Sequence, residues 1–408
     1  MSYVLVSLLI FYIIASSNFS LGYGQTTFNV LDYGAVGNGQ IDDSKAFVKA
    51  WNASCLTKAS KGTPTLVIPA EKTFLLQPTI FSGSSSSNIG VRVEILGKIV
   101  APKNPDAWKG CVESWLSFGD VTNLIIYGTG EINGQGSLWW SYVSTVQCPR
   151  PKALHFSKCN NLELSGLTHV DSPKGHISIT HSNNVTISNL HIRAPQTSPN
   201  TDGIDISVSS HVNIHDSIIE TGDDCIALNN GSSFINITNI ACGPGHGISV
   251  GSLGVNGSYQ TAEEIYVRNC SFNGTQNGAR IKTWQGGSGY ARKILFEHIT
   301  LIAVNHPIII DQHYCNGRHD CANATRAVNV SDVTYNDFQG TSSSKEAIVF
   351  NCTQTPGCSN IVMKQINITS AIQSQNISAY CSNANGTFST TVPQVPCLLK
   401  TNSTSFNL

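Results

Sequence analysis

The sequence predicts an all-β chain wound as a parallel β-helix, with a helical cap at its N-terminal end. Three observations predict it: a composition low in charge and rich in turn residues, a short β-branched pattern that keeps returning, and a return interval typical of solenoids. Charged residues are 12% of the 408 while Gly, Ser, Thr and Asn are plentiful, which suits short strands joined by turns better than charged amphipathic helices.

From about Val121 the pattern is two or three alternating β-branched residues, an Asn or Gly turn, then another short alternating run. It appears at 121–127, 161–165, 184–188, 211–215, 234–238, 264–268, 293–297, 328–330 and 360–364. Leu162, Val185, Val212, Ile235, Ile265 and Ile294 mark successive returns. Their uneven but bounded spacing is expected when a fixed coil carries loops of variable length, and it falls within the range of stacked solenoid repeats. Leucine-rich repeats compete, but their Leu-x-x-Leu-x-Leu spacing is absent and β-branched residues dominate.

An open solenoid end exposes strand edges that need covering. Residues Asp42 to Lys58 supply the candidate cap, with Ala46, Phe47, Ala50 and Trp51 on one helical face and Asp42, Asp43 or Ser44 available at its start. Periodicity alone serves an ordinary surface helix equally well. The Ser-rich loop 82–87 is the one local bias, and no linker divides the chain, so residues 25–408 count as one domain.

The formal net charge of −1 excludes a global field drawing the protein to nucleic acid or an anionic membrane. Residues 1–24 read as a signal peptide: Val4 to Ile14 is almost continuously apolar, too short to span a bilayer, although no Lys or Arg precedes it. Thirteen cysteines without zinc-ribbon spacing fit disulfides in an oxidising compartment, with one left over. Asn-x-Ser/Thr acceptors at Asn52, Asn184, Asn230, Asn236, Asn256, Asn323 and Asn376 suit the same route.

Four stretches concentrate reactive groups: Ser198 to Gly203, Gly222 to Cys225, Cys242 to Gly247, and Arg280 to Lys282. Asp202 and Asp223 are separated by close to one coil of the repeat, as are Asp224 and His246, while His246 to Arg280 is one longer coil. Groups one coil apart stack about 4.7–4.9 Å from each other. Three carboxylates, an imidazole and two cations therefore converge.

Glycoside hydrolysis needs an acid to protonate the leaving oxygen and a carboxylate to activate water or attack the sugar. Crowded aspartates resist simultaneous ionisation, so one keeps its proton. Arg280 and Lys282 alternate on a strand and face one way, suited to a carboxylated sugar or to the aspartates themselves. Taken singly, each Asp motif is an ordinary turn; their joint register argues for function. Asp205 is read as a solvated residue on a polar face. No second histidine lies at ligand spacing from His246, so zinc is not expected. Calcium on the aspartates competes, since hard oxygens suit it, but the preferred site carries no metal and no cofactor.

At these residues the sequence resembles the plant polygalacturonases of glycoside hydrolase family 28, whose signatures are Asn-Thr-Asp-Gly, Gly-Asp-Asp-Cys, a Gly-His-Gly stretch and Arg-Ile-Lys. All four occur in order, and the similarity runs from Phe28 through Gly128–Gly134 to Cys315. The resemblance implies a single-stranded, right-handed, pectin-lyase-like β-helix and a secreted enzyme of the plant cell wall. That enzyme would hydrolyse α-1,4-linked galacturonic acid in pectin with inversion, as a monomer. It also implies Asp223 as general acid, Asp202 and Asp224 positioning and activating water, and His246 tuning the acid. Asn200, Arg280, Lys282 and Tyr314 would hold substrate. Pairing of Cys225 with Cys242, Cys352 with Cys358, and Cys381 with Cys397 is implied in the same way. Ala279 stands where the family often carries Val. The stretch Arg280 to Gly287 favours endo action; exo action, a calcium-dependent lyase and a wall protein without turnover are the alternatives.

Overall fold

The computed structural model describes residues 26–56, 62–83, 90–141, 148–317, 321 and 324–401. The expected signal peptide at 1–24, most of the Ser-rich loop and the acceptor Asn323 lie outside them. Every strand pairing between named strands is parallel. One sheet holds 20 strands and the other 11. Their side chains meet in one continuous core.

The repeat residues are direct neighbours in register: Leu162 pairs with Val185, Val185 with Val212, Val212 with Ile235, Ile235 with Ile265, and Ile265 with Ile294. Each is at most 1% exposed. On the facing sheet Ile204, Ile226, Ile248, Ala279 and Ile308 form a second inward column. Stacking like on like in this way buries each aliphatic side chain against the coils above and below, worth about 1.5–3 kcal/mol apiece.

The turns between coils are also laddered. Asn123, Asn161 and Asn184 all adopt left-handed φ between 55° and 58°, a conformation that Asn tolerates better than most residues. Asn184 donates to Asn161 and Asn161 to Asn123, both at 2.8 Å, so turn amides otherwise left to solvent are paired along the axis.

Helix α1 (Ser44–Cys55) buries Ala46, Phe47, Ala50 and Trp51. Phe47 meets Phe74 edge-on at 5.3 Å, and Trp51 meets Phe81 and Phe118 at 5.5 Å. It closes the N-terminal end of the core, so the cap holds and the surface-helix alternative does not. No side chain caps its start. Asp43 instead turns back to accept from Val36 N and Gly37 N, while Asp42 accepts from Ser44.

Ten cysteines pair, as 111–148, 225–242, 315–321, 352–358 and 381–397. Three, not one, are unpaired: Cys55, Cys159 and Cys270. Cys159 and Cys270 are packed into the core columns as small apolar residues, where burial pushes their thiols up to about 11 and about 12. Among the described residues no helix is long and apolar enough to cross a membrane.

Candidate active site

The 11-stranded sheet presents its outer face at the strands Ile204–Ser207, Ile226–Leu228, Ile248–Leu253, Asn277–Trp284 and His306–Tyr314. Continuing the register of Ile204, Ile226 and Ile248 two residues back aligns Asp202, Asp224 and His246 in one column. Asn277 and His306 extend that column. This corrects the pairing by nearest interval: Asp202 stacks with Asp224 rather than Asp223, because the coil from Ile204 to Ile226 is one residue longer than the step from Asp202 to Asp223. Arg280 likewise aligns with Ser249 rather than His246. The groups still converge, since Asp223 sits beside Asp224 and its backbone carbonyl accepts from His246 N at 2.8 Å.

The turns that hold these groups leave no room for side chains. A Cβ on Gly222 would lie 2.0 Å from Ser198 O, and one on Gly247, at φ 90°, would lie 2.2 Å from Asn277 O. Gly222 N donates to Thr201 Oγ1 at 3.0 Å, joining the Asn-Thr-Asp-Gly turn to the Gly-Asp-Asp-Cys turn. The Cys225–Cys242 disulfide fastens the latter to the next coil.

Asp224 is fully buried and its two oxygens are taken up. Oδ2 lies 2.5 Å from Lys282 Nζ, and Oδ1 accepts from Ser249 Oγ at 2.8 Å with Arg280 Nη1 at 3.8 Å. Burial pulls Lys282 down, yet the adjacent Asp224 carboxylate outweighs it and leaves the ammonium above its ordinary value. Tyr314 lies under both cations, its ring centroid 5.5 Å from the Arg280 guanidinium and 5.3 Å from Lys282 Nζ. Arg280 Nε is buried without a hydrogen bond among the described residues.

Asp223 Oδ1 faces His246 Nδ1 at 3.0 Å, and Oδ2 faces Asn200 Nδ2 at 3.5 Å. Burial pushes this carboxyl up, but the His246 hydrogen bond and the charges of His246 and Lys282 bring it below its ordinary value. Asp202 goes the other way. Burial first, then the charges of Asp205, Asp223 and Asp224, hold it well above the carboxylate range, against the pull of Lys282. The two neighbouring carboxyls are thus shifted in opposite directions, Asp202 toward its neutral form and Asp223 toward its ionised one.

Asp205 is no solvated surface residue. It is half-buried and raised, by burial first, opposed by Lys152. Its Oδ2 occupies the space over Gly175, where a Cβ would approach it to 2.9 Å. The missed signal was Asp205's alignment with Ser178, Ser249 and Arg280 in the next outward column. Arg150 joins the site as well, its Nη2 donating to Asn200 Oδ1 at 2.6 Å. Nothing in the local sequence marks it, because its partner lies two coils away along the chain.

Asp223, Asp224 and His246 offer ligand atoms within 4.8 Å of one another. Asp224 Oδ2 already faces Lys282 Nζ and Asp223 Oδ1 faces His246 Nδ1, so a cation bound here would compete with those contacts. The arrangement instead matches acid–base chemistry on a substrate whose negative charge Arg280 and Lys282 can meet.

A model of glycosyl hydrolases family 28 matches residues 59–391. The chain belongs to this family. As a family 28 glycoside hydrolase it is 51% identical to a probable polygalacturonase of Arabidopsis thaliana, over 93% of this chain and 84% of that one. It is 42% identical to a polygalacturonase of Malus domestica, over 88% and 76%. Among solved structures, the endo-xylogalacturonan hydrolase of Aspergillus tubingensis superposes with a TM-score of 0.75 at 25% identity, covering 88% of this chain and 96% of that one.

Proposed function

We propose that the protein hydrolyses α-1,4-linked galacturonic acid in pectin with inversion, Asp223 protonating the leaving oxygen while Asp202 and Asp224 position and activate water. One observation carries this: Asp202, Asp224 and His246 share a column beside Asp223, with two cations against it. Asn200, Arg280, Lys282 and Tyr314 hold the uronate. A substrate carboxylate reaching Lys282 offsets part of the positive field that holds Asp223 below its ordinary value and so favours the protonated acid as the groove fills; His246, bonded to Oδ1, tunes that proton.

We place the mature chain, 25–408, outside the cell in the plant wall, after removal of a leader at 1–24. The five disulfides and the plant relatives support that location. Endo action is preferred on the Arg280 to Gly287 stretch.

Asp223→Asn tests the assignment. The variant should bind polygalacturonate and lose hydrolysis by about 10²–10⁴-fold, and a near-normal rate would remove Asp223 from the role. The product time course separates modes, mixed early oligomers meaning endo and monomer alone meaning exo. Activity that survives EDTA, with products lacking an absorbing double bond, separates hydrolysis from calcium-dependent elimination.

A further inference from the structure

Arg150 stands between Pro149 and Pro151, whose rings restrict the backbone on either side of it. Cys148, just before them, is tied to Cys111. From this fixed base the guanidinium reaches across two coils. Nη1 donates to Pro173 O at 3.1 Å and to Pro199 O at 2.5 Å, and Nη2 donates to Asn200 Oδ1 at 2.6 Å. Asn200 is itself exposed and in the left-handed region, at φ 55°.

A guanidinium offers donors only. Arg150 therefore determines which end of the Asn200 amide points where, with the oxygen toward itself and the nitrogen toward Asp223 Oδ2. Without that constraint an exposed Asn amide is free to turn its oxygen to the carboxylate, exchanging an attraction for a repulsion. We infer that Arg150 is a positioning residue for hydrolysis: it orients Asn200 so that the amide donates to Asp223, and its charge adds to the field at that carboxyl. The inference rests on the assignment of Asp223 as the acid.

Asp223 is faced by His246, Lys282 and Arg150, by the carboxyls of Asp202, Asp205 and Asp224, and by the Tyr314 phenol. Removing one cation and one donor from this set favours the protonated form of Asp223. The basic limb of kcat, where the acid of the filled groove loses its proton, then moves to higher pH.

The experiment compares Arg150→Met and Arg150→Lys in the full chain on polygalacturonate, recording kcat, KM, the pH profile and the melting temperature. For Arg150→Met, kcat should fall about tenfold or more, KM should rise by less than that as Asn200 loosens, and the basic limb should shift upward. Arg150→Lys keeps the charge but loses the fork, so the limb should return toward wild type while kcat stays reduced. A rise in KM at unchanged kcat would mean a direct grip on substrate and overturn the inference, as would a fall in kcat that tracks lost thermal stability with the limb unmoved. If Arg150→Met does not fold, Arg150→Lys decides alone: reduced kcat at an unchanged melting temperature supports the inference, and wild-type kcat, or a fall that tracks lost thermal stability, overturns it. Asp223→Asn assayed alongside keeps the two claims apart. Normal hydrolysis by that variant defeats the acid assignment, whereas an inactive Asp223→Asn with wild-type Arg150 variants defeats only the positioning role.

Discussion

Lys282→Met would leave the Asp224 carboxylate buried with its nearer cation gone. The ammonium now sits 2.5 Å from Oδ2, and both side chains are almost fully enclosed, at 9% and 0% exposure. Breaking a buried pair by removing one partner costs about 3–5 kcal/mol, because the remaining charge has lost its compensation. Two contacts survive on Oδ1, from Ser249 at 2.8 Å and Arg280 at 3.8 Å, which places the loss at the lower end, about 3 kcal/mol. Urea unfolding followed by near-ultraviolet circular dichroism measures it as a lower midpoint at unchanged slope. Adding Asp224→Asn removes the stranded charge, so the double variant should recover part of the loss. The sign with pH follows from Lys282, whose folded value is raised above 10.5: its contribution is fully present below the unfolded value and disappears only as pH climbs through the folded one. The gap between wild type and Lys282→Met should therefore be flat from about pH 6 to 8. An unchanged midpoint for Lys282→Met, or a double variant no more stable than the single, would show that Asp224 does not depend on Lys282 for its burial.

Asp202→Asn should stabilise the protein at neutral pH while abolishing hydrolysis. A carboxyl raised above 3.8 on folding penalises the native state as pH rises from the unfolded value through the folded one, so the gain in melting temperature should vanish in acid; an equal gain at both pH values would contradict the charge argument. Ile206→Ala, in the fully buried inward column beneath the site, should cost about 2–5 kcal/mol of stability by cavity formation. Its specific activity per folded molecule should hold in a titrated assay, and a collapse of kcat with unchanged stability would mean that the column does more than support the turns.

The coil was legible because its signal is local. Val185, Val212 and Ile235 are spaced by the chain itself, and the eye that finds the alternation also finds the register. The column of Asp202, Asp224 and His246 was nearly legible, wrong by one residue at Asp223, since two adjacent aspartates offer two intervals and only the ladder decides between them. Asp205 was misjudged because alternation reports the face and not what covers it; the Lys152 side chain and the space over Gly175 come from other coils. Arg150 was invisible for the same reason. The cysteine count suggested one odd thiol by parity, but parity says nothing about thiols that serve as core packing, and Cys159 and Cys270 do so.

The coil from Ile204 to Ile226 and the coil from Ile226 to Ile248 are equal in length, whereas the next two, to Ala279 and then to Ile308, are both longer. The short coils carry Asp202, Asp224 and His246, whereas Asn277 and His306, which continue that column, stand on coils with longer loops and keep its register all the same. Within this stretch the added chain length falls only after His246, so the turns that carry Asp202, Asp223, Asp224 and His246 are joined by the shortest coils.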